Sequence, residues 1–254
     1  MEYHHPTVRV LRILELIDAN PTGISLHQIS QTLELPKGTI SPILKTLAAC
    51  GYICRENGTY SIGPKSFELG LGFAVNNDVL ALIRKEMRNV AVTVGELCQM
   101  GVLSGLDVRY LLKETSNAPI SVISEVGSKI PAHLTGLGKA LLTGKTDEEL
   151  KALYADHPLE SYTEHSITEF DVLMEQIGKA RCTGLAYEKE ESRKDVNCLA
   201  VPLILDGQVC AALSIAVPKY RYTPEKREQM ADALRQAKRR IEEISRIQNL
   251  HLTI

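Results

Sequence analysis

Apolar and polar positions alternate in three short helical patterns and one hairpin over the first sixty residues. From Thr7 to Asp18, Val10, Leu11, Leu14 and Ile17 recur at the spacing of one helix face, and Asn20-Pro21-Thr22-Gly23 closes the segment. A second helix is predicted from about Leu26, because Ser25 followed by Gln28 makes a capping box. The hydroxyl takes an orphan amide of the first turn while the Gln side chain reaches back. Ile29 and Leu33 share its inner face, and Leu35-Pro36 ends it, since the residue before a proline is pushed out of the α region. Ile40, Ile43, Leu44 and Leu47 then follow at i, i+3, i+4 and i+7, with Lys37, Thr39, Ser41 and Lys45 off that stripe. Gly51 stands where a helix C-cap glycine belongs, and Tyr52-Ile53-Cys54 and Tyr60-Ser61-Ile62 flank the hairpin signal Asn57-Gly58. Caps and stripes occur in any small helical domain. Helix, turn, helix and hairpin in this order predict a winged helix-turn-helix, whose second helix has the shape that enters the major groove of DNA.

Beyond the hairpin, Pro64-Lys65-Ser66 leads into an apolar segment from Phe67 to Val75, and Asn76-Asn77-Asp78 marks a boundary. A helix from Val79 to about Val94 follows, with Arg84, Lys85 and Arg88 opposite its apolar side. The texture then changes to α+β. Strands are predicted at Leu97–Ser104, Val108–Glu114, Ile120–Glu125, Leu185–Lys189, Asn197–Leu205 and Gln208–Val217, with turns at Gly105-Leu106-Asp107 and Asp206-Gly207. Helices are predicted at Gly136–Thr143, Asp147–Tyr154 and Glu169–Cys182, the last capped by Thr168 with Asp171 and closed by Gly184. Thr223-Pro224 opens a long final helix, threonine as N-cap and proline at N1, with Met230, Ala233, Leu234, Ala237, Ile241, Ile244 and Ile247 as its stripe. The organisation expected is a winged helix-turn-helix over 1–70, a linker helix over 71–95, and an antiparallel sheet flanked by helices over 96–254. The stripes on the first helix and the linker helix suit either a dimer surface or ordinary intradomain core.

A chain of 254 residues with 44% apolar and 24% charged residues fills two modest globular domains. No run approaches the ~18 apolar residues of a membrane span, and the first ten residues lack the apolar core of a signal peptide, so a cytoplasmic protein without membrane partners is expected. The six cysteines, Cys50, Cys54, Cys98, Cys182, Cys198 and Cys210, form no CxxC, and no Cys or His pair has metal-ligand spacing. Reduced, mainly buried thiols are expected, with no metal site and no cofactor. His4 and His5 read as a solvated terminus. The net charge of −2, and six basic against six acidic residues within 1–70, leave DNA affinity to local placement, helix N-terminal amides and the summed contacts of an oligomer.

The run Leu35-Pro36-Lys37-Gly38-Thr39-Ile40 with Leu44, Thr46, Leu47 and Gly51-Tyr52, then Tyr60-Ser61-Ile62-Gly63 and Leu69-Gly70, resembles the DNA-binding domain of IclR-type transcriptional regulators. The block Pro131-Ala132-His133-Leu134-Thr135-Gly136-Leu137-Gly138-Lys139-Ala140-Leu141-Leu142 resembles that family's effector domain. So do Gly184-Leu185-Ala186-Tyr187-Glu188 with Glu190-Glu191, and Val196 to Pro202. The matches run in family order over nearly the whole chain. The resemblance implies a GAF-like effector domain, a homodimer able to pair into a tetramer, double-stranded operator DNA as partner, and a small carboxylic acid as effector. In the recognition helix this chain departs from the pattern: Gly38 stands for a serine, and Ser41 and Pro42 stand for a His-Arg pair. The helix proper is expected to begin near Gly38 or Thr39, placing Pro42 at the edge of the first turn and aiming Thr39 and Ser41 at DNA. Lys37, Lys45 and Arg55 are the expected phosphate contacts. Ser25 and Gln28 either join them or serve only as the cap.

A small acid needs amides or hydroxyls aimed into a closed cavity, because a buried carboxylate without partners is costly. The family resemblance places that site at Gly136 and Leu137 through their amides, and at Glu188, Cys198, Ser214 and Ala216. Glu188 replaces a common Asp and Ala216 a common Ser, so the acid reaches further and one hydroxyl is lost. A Glu188 that accepts from an effector hydroxyl suits a hydroxylated acid such as a sugar acid. Cys198 and Ser214 also read as ordinary strand core. The charged run Glu190, Glu191, Arg193, Lys194 and Asp195 reads as a solvated loop, with Asp195 in place of a family glycine. Two rival readings are an enzyme that uses Cys198 as nucleophile with His133 as base, and a metal sensor using His133, His157 or His165. Neither has a supporting motif.

Overall fold

The computed structural model describes residues 3–75, 78–115 and 126–248 and separates into two units, Met1–Asn76 and Asn77–Ile254. The first contains α1 (His5–Asp18), β1 (Ile24–Ser25), α2 (Leu26–Thr32), α3 (Lys37–Ala49), β2 (Ile53–Glu56), β3 (Thr59–Ile62) and α4 (Pro64–Val75). The capping box forms: Gln28 N donates to Ser25 Oγ at 3.3 Å, and Ser25 N donates to Gln28 Oε1 at 2.9 Å. The turn between α2 and α3 carries Glu34 in the left-handed region. At the end of α3, Gly51 N donates to the Ala48 carbonyl and Tyr52 N to the Leu47 carbonyl, the paired bonds of a Schellman motif, with Gly51 at φ 78°. Asn57 and Gly58 both take positive φ, as a two-residue primed turn needs. An unanticipated strand, β1, adds to this hairpin in the order β1-β3-β2. The apolar segment after the wing is the helix α4. Ile13 and Ile17 carry the buried face of α1, whereas Leu11 of the expected stripe is exposed.

One expectation fails in the recognition helix. The Pro36 carbonyl accepts from Thr39 N and Ile40 N, so α3 begins at Lys37, and Pro42 is an interior residue rather than the edge of the first turn. Pro42 has no N–H to give the Gly38 carbonyl. Gly38 is exposed and nothing lies within 4 Å of where its Cβ would stand, so the helix surface is open there. Thr46 Oγ1 donates to the Pro42 carbonyl at 3.0 Å one turn on. Pro42→Ala is expected to stabilise this unit by about 1–3 kcal/mol, read as a higher thermal midpoint and slower amide exchange in α3. An unchanged midpoint would mean that Gly38 absorbs the proline without cost.

The second unit contains α5 (Asp78–Val94), β4 (Leu97–Ser104), β5 (Asp107–Glu114), β6 (Lys129–Pro131), α6 (Gly136–Leu142), α7 (Asp147–Tyr154), α8 (Phe170–Thr183), β7 (Ala186–Lys189), β8 (Val196–Leu205), β9 (Gln208–Pro218) and α9 (Pro224–Gln248). Its antiparallel sheet runs β6-β5-β4-β9-β8-β7. One face carries large side chains, Leu199, Val201, Leu213 and Ile215, packed with Ile83, Met87, Leu234 and Ile241 of α5 and α9. The other carries Ala186, Ala200 and Ala212 beneath α6 and α8. The stripe of α5 is therefore core of this unit, which removes it as a dimer surface. Thr223 caps α9 as predicted, accepting from Lys226 N at 3.1 Å.

Two further expectations need correcting. Glu169 is the N-cap of α8 and makes no side-chain cap bond, so Thr168 and Asp171 form no box. The six cysteines are free, but only Cys98 and Cys198 are buried, and Cys50 and Cys182 are exposed. The strand expected at Ile120–Glu125 lies outside the described residues, and β6 was not anticipated. Among the described residues no helix is long and apolar enough to cross a membrane.

Candidate functional site

Two places collect the predicted residues. On α3, Ile40, Leu44 and Leu47 face the core, while Lys37, Gly38, Pro42, Lys45, Thr46 and Ala49 are exposed. Thr39 and Ser41 are half-buried, so with Pro42 inside the helix they do not form the exposed centre of this face. Ser25 Oγ and Gln28 Oε1 are engaged in the cap, the Ser25 hydroxyl also donating to Gln28 Oε1 at 2.7 Å. Arg55 is exposed on the wing, with its guanidinium 5.7 Å from the centre of the Tyr60 ring. That stacking holds the cation near the sheet rather than leaving it to sweep through solvent.

The second place is the small-residue face of the larger sheet. Glu188 on β7 pairs with Cys198, Cys198 with Ala216, and Ala216 with Leu97, so these four form one cross-strand row. Ala186, Ala200, Ser214 and Gln99 form the next row on the same face. α6 rests directly on this floor: a Cβ on Gly136 would meet Cys198 Cβ at 3.4 Å and Ala200 Cβ at 3.6 Å. All six expected effector residues are buried.

Glu188 is the polar centre. Its Oε2 accepts from Gly136 N at 3.4 Å, and its Oε1 accepts from Ser192 N at 3.2 Å and Ser192 Oγ at 2.5 Å. Cys198 stands opposite it on the neighbouring strand. The protein thus supplies donors to both oxygens of Glu188, the bond from Gly136 being the long one. Gly138 N donates to the Thr135 N-cap, and the Leu137 amide, second in the helix, has no acceptor one turn before it. Tyr110 faces the same acid, its hydroxyl pushed well up by burial and by Cys198 and Glu188.

Beside this lies a charged group that the sequence reading missed. Lys139, 1% exposed, donates from Nζ to both oxygens of Glu191 at 2.9 and 2.7 Å and to Gln176 Oε1 at 2.7 Å. Glu190 and Glu191 are buried, which corrects the solvated-loop reading of that run, although Arg193, Lys194 and Asp195 are exposed. Asp195 takes a left-handed φ of 62°, a conformation that favours glycine. Burial raises the Glu191 pKa despite Lys139 beside it. The missed signal was Lys139 on the inward side of a helix otherwise made of Gly, Ala and Leu, a position where a lysine needs an acid.

Cys198 is unsuited to attack. Burial first, then Glu188, push its thiol well up, whereas a nucleophilic cysteine needs the opposite shift. His133 is committed elsewhere, its Nε2 lying 2.9 Å from the Glu160 carbonyl, and burial lowers its pKa. Among the described residues no group of three or more His, Cys, Asp or Glu is placed to hold a metal.

Comparison with known proteins matches both units of the chain. The IclR helix-turn-helix domain model matches residues 6–56, and the model for the C-terminal region of bacterial IclR transcriptional regulators matches residues 72–243. The chain is 30% identical over 236 residues to the HTH-type transcriptional regulator BhcR of Paracoccus denitrificans, covering 92% of this chain and 84% of that protein. In fold it is similar to an IclR transcriptional regulator from Alicyclobacillus acidocaldarius, with TM-score 0.87, 22% identity, and coverage of 95% and 99% of the two chains. It is also similar in fold to an IclR homologue from Microbacterium hydrocarbonoxydans complexed with 4-hydroxybenzoate, with TM-score 0.80, 24% identity, and coverage of 95% and 99%. With a helix-turn-helix ahead of an effector-binding domain, this chain belongs to the IclR family of DNA-binding transcriptional regulators.

Proposed function

We propose that this regulator's affinity for operator DNA is set by a small hydroxylated carboxylic acid bound at Gly136, Leu137, Glu188, Cys198, Ser214 and Ala216. The observation that carries the reading is Glu188, a buried acid whose Oε2 accepts from the first amide of α6. An incoming carboxylate takes the amides of Gly136 and Leu137. The freed Glu188 oxygen then accepts from the effector's hydroxyl, so the exchange conserves hydrogen bonds and leaves no buried acid unpaired. Ser214 adds a hydroxyl, while Ala216 and Ala200 leave room that larger side chains would fill. The complex of the Microbacterium homologue with 4-hydroxybenzoate, which has both groups, is consistent with this chemistry.

Binding must favour one of two arrangements of a homodimer that differ in DNA affinity, and a coupling of about 1–3 kcal/mol suffices. One winged helix covers a half-site, so a palindromic operator suits the dimer. Thermal-shift screening of hydroxylated and hydroxyl-free small acids, followed by operator titration with the hits, tests the reading. Hydroxy acids should raise the midpoint and change DNA affinity. A screen in which only hydroxyl-free acids bind would overturn it.

Lys37, Lys45 and Arg55 serve as phosphate contacts in this reading. Lys37→Ala should weaken binding to every duplex alike and flatten the dependence of log K on log salt by about one unit. A loss confined to one operator base pair would instead make Lys37 a base reader.

A further inference from the structure

The exposed face of α3 has an unusual composition for a helix that reads DNA. Its thirteen residues include no Arg, Asn, Gln, Asp or Glu, so of the long side chains that pair with base edges only Lys37 and Lys45 remain, both assigned to phosphates above. What it exposes is Gly38, Pro42, Thr46 and Ala49, together with Lys37 and Lys45. Gln28, on the preceding helix, has its side-chain oxygen tied into the capping box. The Thr46 hydroxyl is likewise spent, donating to the Pro42 carbonyl, so its methyl group is the part left for a ligand.

We infer that this helix reads its operator chiefly through thymine methyl groups, met by the Pro42 ring and the Thr46 methyl. The open surface at Gly38 lets the helix approach the groove floor closely. The inference rests on the DNA-binding reading above and narrows it to A·T-rich half-sites. In the major groove thymine is distinguished by its C5 methyl, and apolar contact is the means of sensing it. Pro42 suits the task because its ring is rigid and exposed in the N-terminal half of the helix, the part that meets base edges in this motif. A longer side chain at Gly38 or Pro42 would hold the helix away from the floor. Position 42 thus serves recognition at the expense of a helix hydrogen bond, which gives a physical reason for an interior proline there.

The test uses the full-length protein and a randomised duplex library, followed by substitution of deoxyuridine for each thymidine of the selected site. Uracil lacks only the methyl. Loss of a contacted methyl should weaken binding about three- to fivefold at one or two positions per half-site, the equivalent of one buried carbon. Pro42→Ala should abolish the uracil sensitivity at one of those positions, and Lys37→Ala should leave it intact. A selected site that binds equally with uracil throughout overturns the inference, as does a guanine-anchored site that fails when guanine N7 is removed. Retention of no duplex at all would overturn the DNA-binding reading together with this one, and so is distinguishable from either result.

Discussion

Lys139→Met is expected to lower the folding stability of the larger unit by about 3–5 kcal/mol, the usual cost of removing one partner from a buried ion pair. Methionine fills a similar volume, so the loss would come from charge rather than from a cavity. The variant leaves Glu191 at 5% exposure with Gln176 and the Lys189 amide as its neighbours. Denaturant unfolding would show the midpoint fall with an unchanged slope. The pH dependence gives a second readout. The pKa of Glu191 is already raised above 4.5 in the folded protein, so the folded state holds more protons than the unfolded chain once pH exceeds that value. Stability therefore falls as pH rises from 4.5 through the folded pKa. Without Lys139 the folded pKa rises further, and the variant's deficit should widen over the same interval. Combining Lys139→Met with Glu191→Met should recover most of the loss, because an apolar pair of like volume is often neutral or better than a buried ion pair. A double variant as unstable as the single one would show that the network's geometry, not its charge balance, is what matters.

Gly138→Ala is expected to cost about 3 kcal/mol or more, at the upper end of what overpacking does. A Cβ there would lie 2.1 Å from the Ala132 carbonyl oxygen and 2.4 Å from Ala132 Cα. Both are backbone atoms that cannot turn aside. α6 would have to lift from the turn at Ala132–Leu134, taking the Gly136 amide away from Glu188. The variant should thus lose effector response along with stability. Gly178→Ala is the control: Gly178 is inside α8 and nothing lies within 4 Å of its missing Cβ. That change should stabilise by about 0.5–1 kcal/mol. Equal behaviour of the two variants in thermal unfolding would refute the steric account.

Local rules made much of the architecture legible. The Ser25 cap, the Gly51 terminus, the Asn57-Gly58 turn and the Thr223-Pro224 start are each decided by residues within a turn of one another, and each forms as the spacing predicts. The failures are non-local. Whether the α5 stripe meets a partner copy or its own core depends on α9, more than a hundred residues away, whose stripe completes the same cluster. Glu191 looks solvated from its charged neighbours, and only Lys139, delivered from another element, shows why it is inside. Pro42 was misplaced because the rule that keeps prolines in the first turn is only a preference, and α3 starts at Lys37 on amides that bond the Pro36 carbonyl. The partners of Glu188 were invisible because Ser192 and Gly136 come from a loop and a helix that reach it only in the folded chain.

With the effector site as proposed, the contact between Glu188 and the Gly136 amide sets a threshold. An anion arriving at Gly136 does not fill a vacancy; it competes with an acid covalently tethered at the spot, whose local concentration never falls. Trace amounts of metabolite would lose that contest, and only a supply large enough to outbid the tether would register. Shortening residue 188 to aspartate should therefore ease an anion's access to the Gly136 amide while weakening the bond to the effector's hydroxyl, so hydroxyl-free acids should gain affinity relative to hydroxy acids.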